Sequence, residues 1–122
     1  MANRKEFVKK INKAFASCNT EFISKSVTDE IEWIIVGEKT IAGREAFEDA
    51  LERMKLGGPM QINLVDIITE EDKTVVEGIV EMEMEPGKVK KYAFCDIYIF
   101  QDTKSNKFKE LRTYISAIKK KK

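Results

Sequence analysis

From Met60 onward the apolar residues recur every second position, and they hold that period to Ile118. Alternation of this kind belongs to strands with one buried face, so the C-terminal half of the chain is committed to sheet. Turn residues divide it. Glu70–Lys73, Pro86-Gly87 and Asp102–Asn106 separate four long strands, expected at Met60–Thr69, Thr74–Glu85, Val89–Gln101 and Lys107–Ile118. Strands joined by short turns pair antiparallel, which makes this half a meander.

The N-terminal half has a different period. Asn3 followed three residues later by Glu6 is a capping-box pattern, and Phe7, Val8, Ile11, Ala14 and Phe15 then lie on one helical stripe ending near Cys18. Asn19 is placed to cap a second, short helix with Phe22 and Ile23 on its buried side. Thr28 and Asp29 break the pattern before an extended run, Ile31–Val36, read as a short strand. Gly37 and Gly43 bracket a loop. A third helix is expected from about Arg44 to Lys55, with Ala46, Phe47, Ala50, Leu51 and Met54 on one face, and Gly57, Gly58 and Pro59 stop it.

Three helices with one strand among them, followed by an antiparallel meander, define an α+β domain. With 122 residues, no repeat and no linker, the chain is one domain, residues 1–122. A strongly curved sheet closed by the first and third helices leaves a conical pocket between the layers, and such a pocket is where a ligand is expected.

Composition narrows the chemistry. There is no histidine, which excludes histidine-based triads, histidine metal sites and imidazole acid-base catalysis. Lys and Arg total 22 against 21 Asp and Glu, and four of the lysines are the tail Lys119–Lys122. Without that tail the balance turns acidic, so no basic face for nucleic acid is implied, and the tail is read as a solvated terminus. No apolar run approaches the roughly 20 residues of a membrane span, and Met1–Lys10 has no signal-peptide core, so no membrane partner and a cytoplasmic location are expected. Cys18 and Cys95 lack metal-ligand spacing and are read as free thiols. No cofactor or metal is called for. Glu81, Glu83 and Glu85 alternate with Val80, Met82 and Met84, the pattern of a solvated strand face and not of converging ligands.

The sharpest single residue is Asp96, the only charge between Tyr92 and Phe100. Alternation places it on the face of Tyr92, Phe94, Tyr98 and Phe100. If that face lines the pocket, desolvation raises the Asp96 pKa and holds it as a neutral donor; a structural aspartate bonded to backbone or tyrosine is the competing reading. Trp33 offers a large ring and one indole donor, suited to a ligand wall or to the core. Arg112 and Tyr114 lie two apart on the last strand and could pair with Glu77 or Glu110 across the sheet.

The pattern resembles the nuclear transport factor 2-like superfamily, in particular its SnoaL-like and ketosteroid-isomerase-like branch. The likeness is carried by the paired N-terminal helices, by Asp29-Glu30-Ile31-Glu32-Trp33, by the glycine loop ending in Gly43 before a helix with Phe47, and by Phe94-Cys95-Asp96-Ile97-Tyr98-Ile99-Phe100 before the Lys107–Tyr114 strand. It covers nearly the whole chain and implies a cone-shaped fold, a curved antiparallel sheet packed on three N-terminal helices. By this resemblance Asp96 falls at the family's protonated oxyanion-hole aspartate. Placing Val36-Gly37 on the family's loop puts Ile34 at the general-base position, while the first helix offers Lys10 or Ile11 where the family has a tyrosine. An aliphatic side chain cannot take a proton, so isomerisation by that mechanism is not expected. Glu32 shares strand parity with Ile34 and is the nearest substitute base, although on a short edge strand it would face solvent.

The expected function is binding of a small hydrophobic ligand in an apolar pocket, with Asp96 as its polar group and Trp33, Ile34, Tyr92, Phe94 and Tyr98 as its walls. The alternatives are a pocket enzyme (isomerase, cyclase or dehydratase) working through Asp96 with Glu32, and a homodimerising interaction domain. Both faces of the last two strands carry apolar side chains. Since one face alone lines a pocket, the other needs cover, and the resemblance suggests a homodimer through the sheet.

Overall fold

A computed structural model of the protein describes residues 3–118; the Lys119–Lys122 tail lies outside the described residues. The element order is α1 (Arg4–Ser17), α2 (Thr20–Lys25), β1 (Val27–Ile35), β2 (Lys39–Ala42), α3 (Arg44–Leu56), β3 (Gln61–Glu70), β4 (Lys73–Glu85), β5 (Lys88–Phe100) and β6 (Phe108–Ala117). The caps form as the sequence predicts. Asn3 accepts from the Glu6 amide at 3.1 Å and Asn19 from the Phe22 amide at 3.2 Å, satisfying amides that have no partner inside each helix. The second half of the capping box does not close, because the Glu6 carboxylate pairs with Lys9 instead, at 3.1 Å.

The four long strands form the expected meander, within a curved, unclosed six-stranded sheet of order β2-β1-β6-β5-β4-β3. Two expectations about the sheet need correction. It is mixed, since β1 runs parallel to β6 while every other pair is antiparallel. The segment between Gly37 and Gly43 is not a plain loop: Lys39–Ala42 folds back on β1 as a short edge strand, Trp33 opposite Ile41. Thr28 and Asp29 also sit within β1, where an irregularity between Val27 and Glu32 interrupts pairing with β6.

The core lies between the helices and one face of the sheet. Val8, Ile11 and Phe15 of α1 and Phe47 and Leu51 of α3 pack on Ile31, Val76, Tyr98, Phe100, Phe108 and Leu111. At one end Arg4 ties α1 to the β5–β6 connection. Its Nη2 donates to the carbonyl oxygens of Asp102, Thr103 and Ser105, and its guanidinium stacks 3.8 Å from the Phe100 ring centre. Burial lowers the Arg4 pKa, opposed by Asp102 and Asp72. Farther along α1, near Asn12 and Phe15, and at the C-terminal end of α3, near Arg53 and Met54, the helices border a cavity against the sheet.

Candidate functional site

The cavity has a volume of about 350 Å³, at the small end of the range of roughly 300–1,000 Å³ usual for ligand sites. Its walls are mostly apolar: Phe15 from α1, Trp33 from β1, Met54 from α3, Met60 and Ile62 from β3, and Val80, Phe94 and Leu111 from β4, β5 and β6. Arg53, paired with Asp49 at 2.9 Å, and the exposed Glu83 stand in its wall with the Gly57-Gly58-Pro59 connection.

Four polar side chains sit among these walls: Asn12, Trp33 through its indole N–H, Asp96 and Thr113. Asp96 is the acid. As a residue it is half-buried because it borders the cavity, yet its Oδ1 is fully enclosed and has no hydrogen-bond partner. Desolvation pushes its pKa up from 3.8 to about 7, and the Thr113 hydroxyl opposes the rise. Thr113 stands directly opposite Asp96 in the β5–β6 pairing, and its Oγ1 accepts the Trp33 indole N–H at 2.9 Å. Asn12, almost wholly buried on α1, spends its amide N–H on the Val8 carbonyl at 2.9 Å.

The structure places the residues singled out in the sequence as follows. Trp33, Phe94 and Asp96 meet in the cavity. Tyr98 shares the face of Asp96 but lies in the core, stacked edge-on against Phe108 with ring centres 5.1 Å apart. Its buried hydroxyl has no well-formed hydrogen bond, although Asn12 is close enough to oppose the large upward shift that burial gives its pKa. Tyr92 is half-buried against the core and does not border the cavity.

Glu32 and Ile34 are the correction. The side of β1 that faces inward carries Ile31, Trp33 and Ile35, so alternation turns Glu32 and Ile34 to the other face of the sheet, away from Asp96. Glu32 is exposed there, as its place on a short strand suggested, and the pair of carboxylates that the enzyme alternative drew on does not form. Among the described residues no three Cys, Asp or Glu side chains converge as metal ligands do, and no helix is long and apolar enough to cross a membrane. Residue-by-residue reading missed Thr113 and Asn12. Each is a short polar residue on an otherwise core-facing stripe, and that is the one sequence signal that could have found them.

On the outer face the sheet has an open groove of about 480 Å³ bordered by Val36, Ile68, Val75, Tyr114 and Ile115 with Asp66 and Glu77. Cys95 lies in it, half-buried, its thiol pKa raised by burial and then by Asp96 and Glu77. Arg112 on the same face bonds Glu110 at 2.5 Å, one of the two pairings the sequence allowed.

Three helices packed on a curved, unclosed mixed sheet describe an NTF2-like fold. The chain matches the SnoaL-like domain over residues 8–106 and belongs to that family. Among solved structures it is similar to an NTF2-like protein of unknown function from Cytophaga hutchinsonii, at 24% identity and a TM-score of 0.73, covering 93% of this chain and 100% of that one. It is also similar to a LEH-like epoxide hydrolase of M. tuberculosis (14% identity, TM-score 0.78, 91% and 80% covered) and to SalBIII, an epoxide hydrolase/cyclase-like enzyme of pyran ring formation in salinomycin (17%, 0.79, 93% and 90%). No curated protein matches the sequence. At these identities the likeness is one of fold.

Proposed function

We propose that the protein binds a small, largely apolar molecule in the cavity between helices and sheet, with Asp96 as its polar anchor. The observation that carries this reading is the Asp96 carboxyl itself. Asp96 borders an apolar cavity of ligand size, and its Oδ1, enclosed without a partner, lacks the hydrogen bonds that would favour the ionised form. With a pKa of about 7 the group is neutral for much of the time, so it offers a ligand an O–H donor without the cost of a buried charge. The two free thiols suit the reducing cytoplasm.

Trp33 is the only tryptophan and stands in the cavity wall, so its emission reports occupancy. Titration with a neutral aromatic ketone such as 2-acetylnaphthalene should change that emission saturably, and Asp96→Ala should weaken binding severalfold. An emission that does not respond to such probes, in a protein shown by native mass spectrometry to carry no molecule from its host, would end this reading.

A pocket enzyme is the second reading, supported by the same acid. A carboxyl that titrates near neutrality suits general-acid work, as a cyclase or dehydratase needs, and two of the structural relatives are named for epoxide hydrolase or cyclase chemistry. With Glu32 on the far face, Asp96 would act without a second carboxylate from β1. The outer groove goes to a second copy of the chain. Tyr114 and Ile68 are large apolar residues 45% and 58% exposed on a sheet face that has no helix of its own, and a two-fold axis would lay that face on itself.

A further inference from the structure

We propose that the cavity continues into a groove between β2 and α3, and that the two together hold one elongated lipophilic acid: its uncharged end in the cavity, its chain across Met54, and its anionic end at Lys39 and Arg53. The inference rests on the cavity being a ligand site and adds a second compartment and the ligand's chemistry.

The groove has a volume of about 470 Å³ and is bordered by Ile35 and Ile41 of the β1–β2 hairpin, by Ala46 and Ala50 of α3, and by Lys39 and Asp49. Trp33, Arg53 and Met54 border this groove and the cavity alike, so these three side chains stand between the two spaces. Trp33 is the fixed part of that partition. Its ring packs against Phe15 and Phe47 at centre distances of 6.0 and 5.8 Å, and its indole N–H is bonded to Thr113. Met54 is the adjustable part, a half-buried, unbranched side chain whose change of rotamer joins the two spaces without moving the backbone. At about 350 Å³ the cavity alone suits a compact molecule, and the groove more than doubles the space.

The charges differ between the two compartments. Asp96 and Glu83 border the cavity and not the groove, Lys39 borders the groove and not the cavity, and Arg53 borders both. A carboxylate is therefore disfavoured at the acidic end and attracted at the groove end, which sets the direction of the ligand. Asp49, paired with Arg53 at 2.9 Å, is the opposing charge on the groove. Both partners are largely exposed, and a pair of that kind contributes little, so an incoming carboxylate can share the guanidinium at small cost.

The test uses 2-acetylnaphthalene and a series of ω-(2-naphthoyl)alkanoic acids, which keep the aromatic ketone and add a chain ending in a carboxylate, with their methyl esters as uncharged controls. Trp33 emission reads binding, since its ring borders both compartments. The long-chain acid should bind at least about tenfold more tightly than 2-acetylnaphthalene, and severalfold more tightly than its own ester. Ala46→Phe fills the groove from an exposed position on α3 and should remove the gain from the chain while leaving 2-acetylnaphthalene unaffected. Lys39→Gln, also at an exposed position, should bring the acid down towards the ester. A long-chain acid no tighter than 2-acetylnaphthalene, a gain that survives Ala46→Phe, or equal binding of acid and ester would overturn the shared site. Binding of 2-acetylnaphthalene tests the cavity on its own: failure of the chain leaves that reading standing, and failure of the ketone itself removes both.

Discussion

Gly78 and Phe94 are paired across β4 and β5 with no room for a methyl group between them: a Cβ on Gly78 would stand 2.8 Å from the Phe94 ring. It would also stand 2.8 Å from the Asn63 carbonyl oxygen, which belongs to the backbone of β3 and cannot swing aside. Gly78→Ala should therefore destabilise the protein by about 1–3 kcal/mol, the usual cost of overpacking. Since Phe94 borders the cavity, the same variant should weaken binding of an aromatic ketone read by Trp33 emission. A urea midpoint equal to that of the wild type would show that the sheet relaxes where the contacts say it cannot.

Arg4 holds the chain that joins β5 to β6 through three carbonyl oxygens, while its Nε and Nη1 are buried without partners. Removing the guanidinium in Arg4→Met keeps the stem and frees those carbonyls. Hydrogen exchange should then accelerate in residues 101–107 and hardly change in β3 and β4, with a global loss of about 1–3 kcal/mol. Uniform exchange across the molecule would contradict a local clamp.

The outer groove predicts self-association. Sedimentation at micromolar concentration should show a dimer, and Tyr114→Lys should yield a folded monomer, since Tyr114 is exposed and makes no core contact. A wild type that sediments as a monomer removes the second copy from the account.

No isomerisation of 3-keto-5-ene steroids at an enzyme-like rate is expected. Glu32 and Ile34 both face away from Asp96, so no carboxylate of β1 reaches the cavity to move a proton. Absorbance of the conjugated enone measures this directly, and turnover lost in Asp96→Ala would mean that another base serves the site.

Much of this architecture was legible in the residues. The change of period at Met60 announces the meander, and Asp96 stands out because every neighbour from Tyr92 to Phe100 is uncharged. What escaped has physical causes. Lys39–Ala42 is four residues long with no buried member, so β2 carries no hydrophobic signal. Alternation reports which residues share a face but not the direction of the neighbouring strand, and the parallel β1–β6 pair is invisible to it. On β1, Trp33 and Ile34 are both large and apolar, and the structure alone decides which of two parities faces inward. Thr113 acquires its place only when β1 and β6 bring Trp33 to its hydroxyl across 80 residues of chain.

The central claim is that Asp96 is a buried acid kept neutral, and its linkage to folding tests it most directly. With a folded pKa of about 7 against 3.8 for the free group, the protein holds the proton over an interval in which the unfolded chain has lost it. The contribution is full below pH 4 and is lost as pH rises through 7, a swing of about 4 kcal/mol between those limits. Asp96→Asn has no such group. Urea midpoints of the two proteins should show the wild type gaining stability relative to Asp96→Asn as pH falls from 8 to 4. A wild type that loses relative stability over that interval would mean an ionised, structurally bonded aspartate and would contradict the account.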